Sequence, residues 1–150
     1  MSKNVVCIIL IILSIIISGC TTVDSPKTGT ILKNSIQNGD GTLTIKNELK
    51  DDAIVALAMS NDAKLSVFSV YIRADDSYVI NNISENNYIL YYKIGDYWNK
   101  DSGKFSVTKE NSRFENNITI TNDNITSVEL NHKTDGNMRK KHIYEEDFPK

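Results

Sequence analysis

The sequence predicts an all-β fold, namely an antiparallel β-sandwich of seven or eight short strands that follows an N-terminal signal helix. Three observations support this prediction. Apolar and polar residues alternate over 42–46, with the period that places one face of a strand in a core. Asn, Asp and Gly turns recur roughly every 8–12 residues, as in sandwiches and barrels. Aromatic and β-branched residues, which favour strands, are dense over 88–94.

The strands are expected between these turns. Segment 53–59 is continuously apolar, which is typical of a strand covered on both faces or of a short helix, and its length and flanking turns favour the strand. Two polar segments, 81–87 and 95–103, are predicted to be loops, and the second holds Trp98, the only tryptophan. The predicted strand segments are 42–46, 53–59, 64–74, 78–80, 88–94, 105–107, 117–121 and 125–130.

The first 20 residues have the pattern of a secretory signal. Lys3 supplies the positive charge, residues 5–18 are apolar, and small residues precede Cys20. Residues 17–20 read Ile-Ser-Gly-Cys, which resembles the lipobox of prokaryotic lipoproteins. This resemblance implies that the Cys20 thiol is alkylated by a diacylglyceryl group and that cleavage occurs before Cys20. It also implies a location on the extracytoplasmic face of the cell membrane.

The alternative for the apolar run is an uncleaved membrane anchor. Residues 5–18 would form a helix about 21 Å long at about 1.5 Å per residue. A hydrocarbon core is about 30 Å thick, so the run is short for a span. We therefore predict a signal peptide at 1–19, a flexible tether at 20–38 that lifts the domain off the membrane, and a β-sandwich domain at 39–150.

Charge and cysteine content exclude several classes of function. Removal of residues 1–19 takes away only Lys3 and leaves 16 basic against 19 acidic residues. A mildly acidic domain without a clustered basic face is a poor candidate for binding nucleic acid. Acylation of Cys20 and loss of Cys7 with the signal would leave no cysteine for a disulfide or a thiolate metal site.

The middle of the chain resembles an uncharacterised prokaryotic domain family. The resemblance rests mainly on Tyr71–Arg73 and on the Gly95-x-x-Trp98 pattern, and it covers roughly residues 41–148. That family has a β-sandwich related in shape to carboxypeptidase-regulatory-like domains, so the resemblance implies the same fold. It implies no activity.

Tyr97 and Trp98 are the candidate ligand platform, since adjacent aromatic rings can hold a sugar or a peptide. The alternative is that Trp98 packs into the core, and we expect this outcome because a single tryptophan is a large apolar area in a modest core. Arg73, a charge on a predicted strand, is expected to pair with an acid such as Glu115 or Glu129.

Histidine and carboxylate residues meet in the sequence only near the end, where His132 is close to Asp135 and His142 is close to Glu145 and Glu146. A metal site needs three or four converging ligands, and no serine has a Gly-x-Ser-x-Gly context. We therefore predict no catalytic, metal or cofactor site. A surface hydrolase or metal-binding protein that uses His132 and His142 stays as the alternative.

The function predicted from the sequence is a lipid-anchored extracytoplasmic protein that binds or scaffolds and does not catalyse. The membrane, through the lipid on Cys20, and a protein or glycan at the cell surface are its expected partners. Asn82, Asn117 and Asn124 lie in glycosylation sequons, which matter only in a host that glycosylates surface proteins.

Overall fold

The computed structural model describes residues 25–36, 38–122, 124–132 and 139–150, and this part of the chain is mostly β-strand. The predicted signal at 1–19 and Cys20 lie outside the described residues. Among those described, no helix is long and apolar enough to cross a membrane. The elements are β1 (Thr30–Asn34), β2 (Asn38–Asn47), β3 (Asp52–Met59), β4 (Ser66–Ile72), β5 (Asp76–Ile83), β6 (Asn86–Asn99), β7 (Lys104–Phe114), β8 (Ile118–Ile120), β9 (Ile125–Leu130), β10 (Lys140–His142) and a 3-10 turn (Glu145–Asp147).

The larger sheet has the strand order β1-β4-β3-β6-β7-β10, and β8 pairs with β6 beside this row. Every pair in it is antiparallel. The central strand β3 is buried on both faces from Ala53 to Ala58, because its apolar residues fill cores on both sides. The prediction of an all-β fold is confirmed.

The smaller sheet has the order β5-β2-β9. Strands β2 and β5 pair antiparallel, but β2 and β9 pair parallel, with Thr42 opposite Ile125 and Asn47 opposite Leu130. This pairing differs from the antiparallel arrangement that we predicted. A parallel pair needs a long connection, and the chain supplies one because six other strands lie between β2 and β9.

The two sheets share one hydrophobic core. From Gly41 to Asn47 every second residue of β2 is buried, which confirms the alternation predicted over 42–46. Strands of both sheets contribute to the same cluster, which includes Leu43, Ile45, Val55, Leu57, Val70, Ile80, Leu90, Tyr92, Val128 and Leu130. Burial of these side chains, at about 25 cal/mol per Å² of apolar surface, is the main stabilisation available to the domain.

The predicted tether is shorter than the sequence suggested, because residues 30–34 form a strand at the edge of the larger sheet. Arg73 fixes the chain just before that strand. Its Nε donates to the Pro26 carbonyl at 2.9 Å, and its Nη2 donates to the Ser25 carbonyl at 2.9 Å. The prediction that Arg73 pairs with Glu115 or Glu129 is wrong, since backbone carbonyls take both of these donors.

Both predicted loops contain strand residues. Strand β5 continues to Ile83 and β6 starts at Asn86, so the first predicted loop shrinks to a tight connection at residues 84–85. Strand β6 runs on through Gly95 to Asn99, so Trp98 lies in a strand of the β6–β7 hairpin. Pairing with β7 outweighs the low strand propensity of these polar residues.

The C-terminal segment, residues 143–150, covers the face of the larger sheet that points away from the smaller sheet. Ile143 packs into a second cluster with residues of β3 and β6, including Tyr91. The ring centroids of Phe148 and Tyr91 are 6.1 Å apart. The backbone of Lys150 bonds to Lys64 and Ser66, and the Ile143 N–H donates to the Asn111 carbonyl at 3.0 Å, so this segment is held at both ends.

A hydrogen-bonded network lies where β6, β7 and β10 meet. Glu110 Oε1 accepts from the Tyr92 hydroxyl at 2.9 Å and from Ser112 Oγ at 2.6 Å, and Lys140 Nζ is 3.4 Å away. Burial by itself raises the pKa of Glu110. The hydrogen bonds and the Lys140 ammonium together lower it by more than burial raises it, so the pKa lies below the ordinary value. The carboxylate is therefore charged in the folded protein at neutral pH.

Candidate functional site

The site predicted at Tyr97 and Trp98 lies on a pocket of about 410 Å³ at one end of the larger sheet. We call it the aromatic–acidic pocket. Its residues come from the segment before β1, the β2–β3 connection and strands β3, β4, β6 and β7. They are Ser25, Lys50, Asp51, Asp52, Tyr71, Gly95, Asp96, Tyr97, Trp98 and Phe105.

The apolar wall of the pocket is a group of three rings. Trp98 meets Tyr71 edge to face, with centroids 5.0 Å apart at 76°. It also meets Phe105 at 5.8 Å and 83°. Tyr71 and Phe105 are buried, whereas Trp98 is half-buried. Trp98 therefore packs against the domain and still presents part of its indole to the pocket.

A β-bulge shapes this end of the sheet. Ile94 faces Glu110, but the next residue, Gly95, faces Thr108, so Lys109 is an extra residue in β7. A Cβ atom on Gly95 would lie 2.3 Å from the Val107 carbonyl oxygen, and only glycine permits this close approach.

The extra residue Lys109 joins two acids of the pocket. Its Nζ is 2.5 Å from Asp51 Oδ1 and 2.8 Å from Asp96 Oδ2. The hydrogen bonds that the Lys109 ammonium donates to these two carboxylates raise the pKa of Lys109. The bulge therefore connects the β2–β3 turn to β6 through one ammonium group, which fixes both carboxylates at the rim of the pocket.

Tyr97 has an uncommon backbone conformation for its residue type. Its φ is 55°, and its side chain is 63% exposed. A left-handed conformation costs a non-glycine residue about 1–2 kcal/mol. Such strain persists only where the surrounding structure imposes it, and it occurs most often at functional sites.

The floor of the pocket is a polar pair. The Tyr71 hydroxyl donates to Asp52 Oδ2, and the other oxygen, Asp52 Oδ1, accepts from the Ala74 backbone N–H at 2.9 Å. Burial raises the pKa of Tyr71, and the bond to Asp52 raises it further, so the phenol stays protonated. Both groups are satisfied within the protein, which makes the floor rigid rather than reactive.

The buried side chain of Asn47 connects the β2–β3 turn to the chain after β4, beside the floor of the pocket. Its Nδ2 donates to the Asp51 carbonyl at 2.9 Å and to the Arg73 carbonyl at 3.0 Å, and its Oδ1 accepts from the Leu49 N–H at 3.2 Å. One amide thus ties the β2–β3 turn to the chain after β4.

The two histidines belong to different parts of the fold. His132 follows β9 of the smaller sheet, His142 is in β10 at an edge of the larger sheet, and both are exposed. Asp135 lies outside the described residues, and Glu145 pairs with Lys93. Within the described ranges, no group of three or more His, Cys, Asp or Glu residues is placed to hold a metal ion.

The three sequon asparagines, Asn82, Asn117 and Asn124, are exposed. Sequence reasoning found Tyr97 and Trp98 but missed four residues that complete the pocket. Asp51 and Asp52 lie between the predicted strand segments 42–46 and 53–59, and Tyr71 and Phe105 lie within the predicted strand segments 64–74 and 105–107, so none of the four was a candidate site residue. The pairing of β6 with β7 and of β3 with β4 brings them together, and no local pattern in the sequence carries that information.

Comparisons with protein-family models, curated proteins and solved structures match nothing to this chain. The lipobox and the resemblance to the β-sandwich family therefore stay predictions.

Proposed function

We propose that this protein is a lipid-anchored extracytoplasmic binding protein whose ligand is a glycan held in the aromatic–acidic pocket. The proposal includes a β-sandwich architecture for the two sheets that share one core, and a non-catalytic role. The observation that carries it is the position of half-buried Trp98 and exposed Tyr97 beside fixed carboxylates in one pocket.

The composition of the pocket favours a sugar. A sugar ring has C–H faces that pack on aromatic rings and hydroxyl groups that donate to carboxylates. Trp98 and Tyr97 supply the rings, and Asp51 and Asp96 supply acceptors at the rim. Binding sites commonly combine an apolar lining with a few fixed polar groups in this way.

The lipid on Cys20 would keep this pocket near the membrane. Ser25 lines the pocket, and its carbonyl is held by Arg73. Four residues lie between Cys20 and Ser25, and the five residue-to-residue steps that join them span at most about 18 Å. The ligand would therefore lie close to the bilayer. A flexible tether that reached residue 38 would allow a longer distance between them.

A glycan array tests the proposal, and binding of a retained glycan is then measured by calorimetric titration, because the Trp98→Ala variant has no tryptophan whose fluorescence could be followed. Trp98→Ala is expected to weaken binding of a retained glycan by roughly tenfold or more, because one stacked ring is lost. Tyr97→Ala is expected to weaken it less. Tyr144→Ala is the matched control, since Tyr144 is also an exposed tyrosine but lies outside this pocket.

Two results would contradict the proposal. One is an array that retains no glycan, which would favour a protein partner. The other is a glycan that binds the Trp98→Ala variant as tightly as the unaltered protein, which would place its site elsewhere.

A further inference from the structure

A second pocket lies on the opposite face of the larger sheet from the shared core, beneath the C-terminal segment. Its volume is about 320 Å³. We call it the basic pocket. It is separate from the aromatic–acidic pocket, and no residue lines both. Its residues are Ala63, Lys64, Tyr91, Arg113, Lys141, His142, Ile143, Tyr144 and Asp147.

Two cations of the basic pocket face each other across strands. Lys141 of β10 is opposite Arg113 of β7, and Arg113 is opposite Tyr91 of β6. Side chains at directly opposite positions share one face, with Cβ atoms about 5 Å apart, and like charges placed so are destabilising. Among the described residues, neither cation has an ion pair with an acid. An anion between them would remove this repulsion.

The balance of charge around the pocket indicates the anion. Lys64, Arg113 and Lys141 are three cations, and Asp147 is the one carboxylate that lines the pocket. The excess of positive charge matches a phosphate monoester, which carries about −1.5 to −2 at pH 7. Arginine suits this ligand because its planar guanidinium donates two parallel hydrogen bonds to an oxyanion.

The remaining lining residues add an apolar surface. Tyr91 and Ile143 are buried and belong to one cluster, and Tyr144 is 71% exposed. A ligand that carries an apolar or aromatic body would pack here while its anion meets the cations. We infer that the basic pocket binds a phosphate monoester with an apolar body, through Arg113, Lys141 and Lys64.

Calorimetric titration of the full-length protein in a neutral detergent, with phenyl phosphate as the probe, tests this inference. Phenyl phosphate is expected to bind more tightly than inorganic phosphate, because only its ring reaches the apolar lining. The double variant R113Q/K141Q is expected to lose roughly tenfold or more in affinity. Lys104→Gln is the matched control, because Lys104 is an exposed lysine of β7 outside the pocket.

A thermal melt in chloride, without phosphate, separates binding from folding. R113Q/K141Q is expected to melt no lower than the unaltered protein, because it removes two like charges that face each other. Micelles that contain phosphatidic acid, a lipid whose headgroup is itself a phosphate monoester, distinguish a lipid headgroup from a soluble ligand. Competition by this lipid would support the same phosphate chemistry with a membrane source. Equal affinity of R113Q/K141Q and the unaltered protein for phenyl phosphate, or no binding of any phosphate compound, would overturn the inference.

Discussion

The pair of Lys93 and Glu145 predicts an asymmetry that mutagenesis can measure. Lys93 is 6% exposed, and its Nζ is 2.6 Å from Glu145 Oε1 and 4.6 Å from the centroid of the Phe148 ring. The Glu145 side chain is 58% exposed, and its Oε2 accepts from Asn111 Nδ2 at 3.1 Å. One partner is thus buried and the other is solvated.

Mutation of Glu145 and mutation of Lys93 should lower the free energy of unfolding by different amounts. Glu145→Ala leaves a buried ammonium and the Asn111 amide without their acceptor, so we expect a loss of about 2–3 kcal/mol, below the 3–5 of a fully buried pair. Lys93→Met keeps an apolar chain beside Phe148 and leaves a carboxylate that water can reach. We expect it to cost about 1 kcal/mol or less.

Urea unfolding followed by Trp98 fluorescence is the assay, since guanidinium would screen the pair. Glu146→Ala is the control, because Glu146 is a neighbouring exposed acid in the same 3-10 turn. The double variant of Lys93→Met with Glu145→Ala should lose less than Glu145→Ala alone. The reasoning fails if Glu145→Ala costs no more than Glu146→Ala, or if Lys93→Met costs more than Glu145→Ala.

Three further predictions concern the anchor, acid stability and the bulge. Intact mass of detergent-extracted protein should show residues 1–19 removed and acyl chains on Cys20, whereas Cys20→Ala should leave an unmodified precursor; a native chain that starts at Met1 would contradict this. Because the pKa of Glu110 is lowered by folding, its contribution is present above the unfolded pKa of about 4.3 and is lost as pH falls through the folded pKa. As the pH is lowered from about 5 to about 3, the melting temperature of Glu110→Gln should therefore fall less than that of the unaltered protein. An equal fall of melting temperature with pH in the two proteins would refute this. Gly95→Ala should lower the melting temperature and weaken ligand binding in the aromatic–acidic pocket, since its Cβ meets the Val107 carbonyl; an unchanged melt would refute the role of the bulge.

The parts of the fold that follow from local pattern were predictable. The apolar run of β3 predicted a strand buried on both faces, and the alternation over 42–46 predicted which side of β2 faces the core. The structure has both features. Both depend on burial, which a sequence records directly in the order of its apolar residues. The short strands β8 and β9 fell where the turn spacing placed them.

The parts that depend on pairing between distant segments were not predictable from local pattern. Strand β1 is short and largely exposed, and it is held by backbone pairing with β4 and by the packing of Leu32 against a buried cluster that includes Tyr71. The C-terminal segment has apolar residues at Ile143 and Phe148 without a strand period, so its burial against β3 and β6 left no pattern to detect. The parallel partner of β2 likewise depends on where the chain returns after six strands.

The aromatic–acidic pocket lies where the local rules of a strand are broken, and this supports a role in binding. Within three residues of β6 the chain has a bulge opposite Gly95, which interrupts the pairing with β7, and a left-handed tyrosine at 97, a conformation that costs a non-glycine residue about 1–2 kcal/mol. A hairpin selected for stability alone would replace Tyr97 with glycine and would need no extra residue at 109. The bulge instead places Lys109 between Asp51 and Asp96, and the hairpin places Trp98 against Tyr71. Because strain of this kind tends to accumulate where a ligand requires a fixed geometry, the position of these two features favours a binding surface over a purely structural edge.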